Sequence, residues 1–313
     1  MTNTILLTID SLRFDHFNEK HFPRCWELFT DSCTRFSNAR SSGVGTPFGV
    51  APVLTGQMAK SDGAIASEAS IAHEFAFASA LTNNPHLGRH RGYGAGFDRF
   101  DTGPRSTKRT VAGTVDTAIS DIGRDGLYWI HIMEPHYPFD VPASVNDRFV
   151  DGEATPADIE QLRRAYGRAV RETDRELHRL FEYLRETGRW GESIVIVVAD
   201  HGEAFGERGI FNHAWDAQPI DELVHVPLVA KFPGESPACV DRLTWTGRIA
   251  EAIRSRSLDP LRGGEQRIRS YSNEWARVDT PEGTEYIRES PYQIDELGQS
   301  SGLVDRLKAL GYR

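Results

Sequence analysis

The chain has 313 residues, 39% of them hydrophobic and 26% charged, with a formal net charge of −9. That length supports a sizeable core, and the composition excludes a disordered, collagen-like or coiled-coil chain. The acidic balance speaks against a general nucleic-acid surface. No apolar run approaches the ~20 residues that cross a bilayer. The first apolar stretch, Ile5 to Ile9, is too short for a signal peptide and lacks a basic flank, so the expected location is cytoplasmic. Cys25, Cys33 and Cys239 are too few for a disulfide framework and form no CxxC pair, so they read as free thiols.

In chain order, Ile5-Leu6-Leu7-Thr8-Ile9 reads as a strand apolar on both faces, the pattern of a buried parallel strand. Ser41-Ser42-Gly43-Val44-Gly45-Thr46-Pro47 is a loop of small residues ending in a capping Thr46, and Pro52 limits the helix that follows to a short or kinked one. Phe75 to Ala78 is a weak strand. Thr110 to Ile122 reads as a helix leading into the strand Leu127 to Ile132. A long helix is expected from Pro156 to Thr187, capped by Thr155, ended by Gly188, with an apolar stripe through Leu162, Tyr166, Val170, Leu177, Phe181 and Leu184. Ile194 to Ala199 is the most strongly β-branched strand, and Val226 to Phe232 is a weaker one. This alternation predicts an α/β fold with a mostly parallel central sheet and helices on both faces. After about Glu235 the composition changes to short polar runs, with hairpin strands near Arg267–Tyr271 and Glu285–Arg288 and a last helix from Ser301 to Leu310. The chain is therefore expected to be a single domain, 1–313, with a catalytic core over 1–235 and a small extension over 236–313.

Ligands of open α/β sheets sit beyond the carboxyl ends of the strands. Three of the strands run into acidic residues or histidines there: Ile5–Ile9 into Asp10, Ile194–Ala199 into Asp200-His201, and Leu127–Ile132 into Glu134 and His136. Carboxylates beside imidazoles suit a divalent ion such as Zn²⁺, Mn²⁺, Mg²⁺ or Ca²⁺. Thr46 adds a hydroxyl at a helix start, where backbone N–H groups favour an anion.

Several segments then match a known pattern in order. Thr8-Ile9-Asp10-Ser11-Leu12-Arg13-Phe14-Asp15-His16 resembles the first motif of the sulfatase branch of the alkaline phosphatase superfamily. Val198-Ala199-Asp200-His201-Gly202-Glu203 resembles its late metal motif. His131-Ile132-Met133-Glu134-Pro135-His136 resembles its histidine-proline segment, Asp221 to Val229 its following strand, and Leu307 to Tyr312 its usual ending. The resemblance implies an alkaline phosphatase-like fold and one divalent metal ion held by Asp10, Asp200, His201 and the nucleophile hydroxyl. It places the nucleophile ten residues before the glycine of Leu54-Thr55-Gly56, which is Thr46. Here the chain departs from the sulfatases. They carry Cys/Ser-x-Pro-x-Arg, converted to formylglycine, whereas these five residues are Thr46-Pro47-Phe48-Gly49-Val50. Threonine cannot give that aldehyde, but it is the nucleophile of phosphodiesterase and phosphoalkyl-transferase relatives.

The implied activity is hydrolysis or transfer of phosphate mono- or diesters through Thr46. The alternatives are sulfate-ester hydrolysis without formylglycine and a non-catalytic binding protein that keeps the fold. His213, twelve residues after His201, matches a histidine of metal-dependent phosphoethanolamine transferases. It and His136 are candidates to bind the substrate or protonate the leaving oxygen. Arg13 is a candidate substrate contact or a partner of Asp15, and Trp215 and Asp216 are candidate pocket residues. Some relatives hold two ions; Glu134 and His136 could serve a second, but no full second ligand set accompanies them. The expected partner is a small-molecule, glycan or lipid phosphate or sulfate ester.

Overall fold

The structure is a computed structural model that describes residues 3–103 and 109–292. Its central sheet has eight strands: β1 (Thr4–Ile9), β2 (Thr34–Phe36), β4 (Ala78–Leu81), β5 (Arg99–Asp101), β6 (Leu127–Ile132), β7 (Ile194–Ala199), β8 (Leu228–Lys231) and β9 (Ala238–Val240). Their order is β5-β4-β6-β1-β7-β8-β2-β9. The five strands β5 to β7 run parallel, and β8 is antiparallel to both its neighbours. Every residue of β1, β6 and β7 is buried, as their continuous apolar runs require of strands covered on both faces. β3 (Ala39–Arg40) pairs with β10 (Thr244–Trp245), and β11 (Ile268–Tyr271), β12 (Ala276–Thr280) and β13 (Gly283–Ile287) form a small antiparallel sheet.

The register of the central strands sets the site. Ile9 pairs with Ile132 on one side and with Ala199 on the other. The next residues out, Asp10 and Asp200, therefore leave the same edge of the sheet side by side. The long helix, Pro156–Glu186, connects β6 to β7. Its first turn is closed by a capping box in which Thr155 and Asp158 bond each other's backbone N–H. Gly188 follows its last turn at φ 70°, the left-handed conformation glycine adopts without penalty. On its buried stripe Tyr166 reaches the end of β1: its hydroxyl accepts from Arg13 N–H and donates to the Ser11 carbonyl, each at 2.8 Å.

The Thr46–Thr55 helix packs against the end of β7 because residue 49 is glycine. A Cβ there would lie 2.1 Å from the carbonyl oxygen of Asp200. Alanine at a helical glycine ordinarily stabilises by about 1 kcal/mol. Here Gly49→Ala is expected to do the opposite, costing about 1–3 kcal/mol from overpacking, read as a lower urea midpoint. A neutral or raised midpoint would show that the helix is not pinned at this point. The loop before the helix is held by β11: Tyr271 N–H donates to the Ser42 carbonyl (2.8 Å), and Val44 N–H to the Tyr271 carbonyl (3.0 Å).

Three expectations shift. The strand placed at Phe75–Ala78 begins where that range ends, at Ala78. The two C-terminal strands are not each other's hairpin partners; Ala276–Thr280 lies between them. That middle strand carries Arg277 and Asp279, which pair with each other in a buried bridge (2.8 Å), so its sequence reads as polar while its burial is that of a core strand. Thr46 is the first residue of its helix, with Gly45 as the cap, so its hydroxyl is free of a capping bond. The helix expected over Ser301–Leu310 and the Leu307–Tyr312 ending lie outside the described residues.

His225 follows the short helix Asp221–Val224, stacks on Phe14 with ring centroids 3.9 Å apart, and bonds the Ser37 carbonyl through Nε2. Burial, with Arg40 nearby, pulls its pKa down to about 4. In the unfolded chain the imidazole protonates near 6.5. Its contribution to stability is therefore complete above about pH 6.5 and is lost as pH falls towards 4. His225→Gln should flatten the fall in denaturation midpoint between pH 7 and pH 5. An identical fall in both proteins would contradict the assignment.

Candidate active site

Asp10, Asp200 and His201 present one ligand atom each within 4.8 Å of one another, and all three are buried. Ser11, at φ 60°, turns the chain after β1 so that its N–H reaches Asp200 Oδ1 (3.2 Å) while its hydroxyl donates to Asp10 Oδ1 (3.1 Å). The N–H of His201 also donates to Asp200 Oδ1, at 2.8 Å. Thr46 stands over this group, 2% exposed, with Oγ1 3.5 Å from Asp10 Oδ2 and 3.4 Å from His201 Nε2.

The protonation of the cluster follows from its partners. His201 Nδ1 lies 2.8 Å from the Gly202 carbonyl, an acceptor, so Nδ1 carries the hydrogen and Nε2 a lone pair. That lone pair faces Asp10 Oδ1 at 3.5 Å and Asp200 Oδ2 at 3.6 Å. Asp200 Oδ2 is buried and accepts no hydrogen bond of ordinary geometry. Three electron-rich atoms thus meet with nothing positive between them. Burial and the charge of Asp10 push Asp200 well above the usual carboxylate range. Asp10 goes the other way: burial opposes its ionisation, but His136, His131 and His201 together hold it well below. Burial, with His213 alongside, takes His201 down to about 3, which keeps it neutral. Two carboxylate oxygens and a neutral imidazole nitrogen are a donor set that fits a divalent cation.

A second layer closes over the first. Asn84, fully buried, donates from Nδ2 to both Asp10 Oδ2 (2.9 Å) and Thr46 Oγ1 (3.0 Å). His213 Nδ1 pairs with the buried Glu203 at 2.9 Å, and its ring lies 4.4 Å from that of His201 and 4.8 Å from that of His136. Burial would depress His213, but Glu203 overrides it and raises its pKa. Trp215 covers Gly45, where a Cβ would lie 2.7 Å from the indole, and it touches the rings of Phe48 and His86.

The sulfatase family model matches residues 76–258 of this chain. The chain belongs to the sulfatase family. Within the wider alkaline phosphatase superfamily it is 35% identical over 105 residues to the multifunctional alkaline phosphatase superfamily protein PehA of Trinickia caryophylli; the match covers 33% of this chain and 18% of that relative, less than a fifth of its length. Its fold is similar to the phosphonate monoester hydrolase of Silicibacter pomeroyi (16% identity, TM-score 0.69, 92% of this chain and 88% of that one). It is equally similar to that of Agrobacterium radiobacter (15%, 0.68, 92% and 88%). A 2-O GAG sulfatase aligns with 14% identity and a TM-score of 0.69 over 92% and 85%. At these identities the likeness is one of fold.

Against this sulfatase-family frame, the structure brings Asp10, Thr46, Asp200, His201, His136 and His213 together at one sheet edge. It does not bring Arg13 to them as a free cation. The guanidinium bonds Asp15 (2.8 and 2.7 Å), Glu207 (2.9 Å) and the Glu203 carbonyl (2.9 Å), so the side chain braces two loops and, of the two roles expected for it, the pairing with Asp15 is the one the structure shows. Among the described residues, Glu134 and His136 do not complete a second group of three metal-ligating side chains. Val50, where sulfatases carry arginine, is fully buried in the apolar core. Among the described residues no helix is long and apolar enough to cross a membrane. Four residues escaped the sequence reading. Asn84 and His86 follow β4, whose end was placed three residues early. His131 lies inside a strand read as apolar. Glu203 sits in the quoted metal motif, where its pairing with His213 is visible only in space.

Proposed function

We propose that this chain is a metal-dependent hydrolase or transferase of phosphate mono- and diesters with Thr46 as nucleophile, acting as one catalytic unit in which Asp10, Asp200 and His201 hold the ion. The observation that carries the reading is the convergence of two carboxylate oxygens and an imidazole nitrogen beneath a threonine hydroxyl. A divalent cation bound there would lower the pKa of a nearby hydroxyl and polarise a phosphoryl oxygen. Attack of Thr46 Oγ1 forms the Oγ1–P bond and breaks the bond to the leaving oxygen. The Thr46 proton goes to Asp10 Oδ2, the carboxylate oxygen its hydroxyl faces. His213, whose hold on a proton Glu203 strengthens, gives its proton to the leaving oxygen. Water, or an acceptor alcohol, then attacks phosphorus and yields its proton to the now neutral His213, and the carboxylate returns a proton to Thr46. Asn84 holds Thr46 and Asp10 in register throughout, and Trp215 and His86 exclude water.

The family match favours a second reading, in which the same threonine attacks sulfate esters. The test is turnover of 4-nitrophenyl sulfate and bis(4-nitrophenyl) phosphate by the metal-loaded protein, with intact mass recorded during turnover. The reading expects preference for the phosphodiester and a phosphoryl adduct on Thr46. Preference for the sulfate ester, or no adduct and no dependence on Thr46, would overturn it.

A further inference from the structure

The strand register places three polar groups in a column behind Asp10. Thr8 pairs directly with His131 across β1 and β6, and Trp129 precedes His131 by two residues on the same face. All four residues, Asp10 included, are 0% exposed. They form one chain of hydrogen bonds. Trp129 Nε1 donates to Thr8 Oγ1 at 3.0 Å. Thr8 Oγ1 lies 2.9 Å from His131 Nδ1. His131 Nε2 lies 3.2 Å from Asp10 Oδ2.

One direction uses every donor in this chain. An indole N–H can only donate, so Thr8 Oγ1 accepts there. The hydroxyl has one hydrogen and a second lone pair; with Nδ1 as acceptor that hydrogen is used, whereas an Nδ1–H would leave it without a side-chain acceptor. His131 Nδ1 therefore carries no hydrogen, Nε2 does, and Nε2–H donates to Asp10 Oδ2. The indole at the far end is clamped by Phe97, Tyr93 and Phe100, with ring centroids 5.8, 6.4 and 6.4 Å away. The relay is thus anchored in the core and ends on one oxygen of one carboxylate. Asn84 donates to that same oxygen. With Oδ2 turned to these donors, Oδ1 is the oxygen left to face His201 Nε2 and Asp200.

We infer that His131 is a positioning residue, held by Thr8 and Trp129 with its Nε2–H on Asp10, that locks the Asp10 carboxylate as a single-oxygen ligand. This rests on reading Asp10 as a metal ligand. Partners that orient a ligating side chain typically contribute 10- to 100-fold in metal affinity.

The test uses the full chain stripped of metal and titrated with Mn²⁺ by calorimetry. His131→Phe keeps a ring of similar size without a donor and is expected to weaken Mn²⁺ binding about 10- to 100-fold. His131→Gln offers one acceptor towards Thr8 and one donor towards Asp10, mimicking the inferred tautomer, and should stay within about 3-fold of the parent. Thr8→Val, nearly isosteric and removed from the ligands, should weaken binding roughly 10-fold and gives the answer if His131→Phe does not fold. On the unaltered protein, ¹⁵N chemical shifts of labelled histidine should show a hydrogen on Nε2 of His131 and none on Nδ1. Unchanged Mn²⁺ affinity in both His131→Phe and Thr8→Val, or a hydrogen on Nδ1, would overturn the inference. Failure of the underlying reading looks different: the unaltered protein and Asp10→Ala would then bind Mn²⁺ equally.

Discussion

Thr46→Ala is expected to reduce ester turnover by about 10³-fold or more while leaving the fold and most of the metal affinity in place. It is the hydroxyl of Thr46 that meets the cluster, and Asn84 and Asp10 keep their own bond at 2.9 Å without it. Thr46 is the first residue of its helix and makes no capping bond, so truncation costs the helix little. Thr46→Ser retains the oxygen and should retain much of the rate. A full rate in Thr46→Ala would remove the covalent route and leave a cation with some other nucleophile. The pair of variants also separates nucleophile from ligand: loss of activity with near-normal metal content belongs to the first role, and parallel loss of both to the second.

Asp200→Asn should produce two effects of opposite sign. Metal content and activity should fall together, because the amide replaces an anionic ligand oxygen. Stability in chelator should rise, by about 1–3 kcal/mol in a denaturant titration. The metal-free site confronts Asp200 Oδ2 with Asp10 Oδ1 and the His201 Nε2 lone pair, with no hydrogen among them beyond any proton Asp200 takes up. An Asn Nδ2–H₂ group turned the same way would donate to both. The oxygen it replaces, Oδ1, can still accept from Ser11 and His201 N–H. A protein that gains stability on losing its ligand chemistry has that strain stored for function. Asp200→Asn that is less stable in chelator and still loaded with metal would show the cluster to be a structural hydrogen-bond network instead.

The parts of this site that could be read from sequence are those announced by β-branched, doubly buried strands. Ile194 to Ala199 and Ile5 to Ile9 stand out, so Asp200, His201 and Asp10 could be placed at strand ends before any coordinates. β4 offers Ala-Ser-Ala-Leu, with no β-branched residue and a polar serine, and its end was misplaced; Asn84 and His86 went with it. His131 was hidden by the opposite cause. Five apolar or aromatic neighbours made its strand legible and its own polarity looked incidental, whereas its role depends on Thr8, 123 positions away. Arg13 shows the limit for charge pairs: Asp15, two residues on, was visible as a partner, but Glu207 reaches it across 194 positions. The middle strand β12 failed for a related reason, since Arg277 and Asp279 neutralise each other only once folded.

Catalysis as proposed needs a cation seated between two aspartates, a histidine and Thr46. Diffraction from crystals grown with Mn²⁺, recorded at the manganese absorption edge, tests that placement without reference to any substrate. One anomalous peak is expected within direct ligand distance of Asp10 Oδ1, Asp200 Oδ2 and His201 Nε2, oxygen and imidazole donors that suit Mn²⁺, with Thr46 Oγ1 facing it. No peak there, or a peak with the Thr46 hydroxyl turned away, would contradict it.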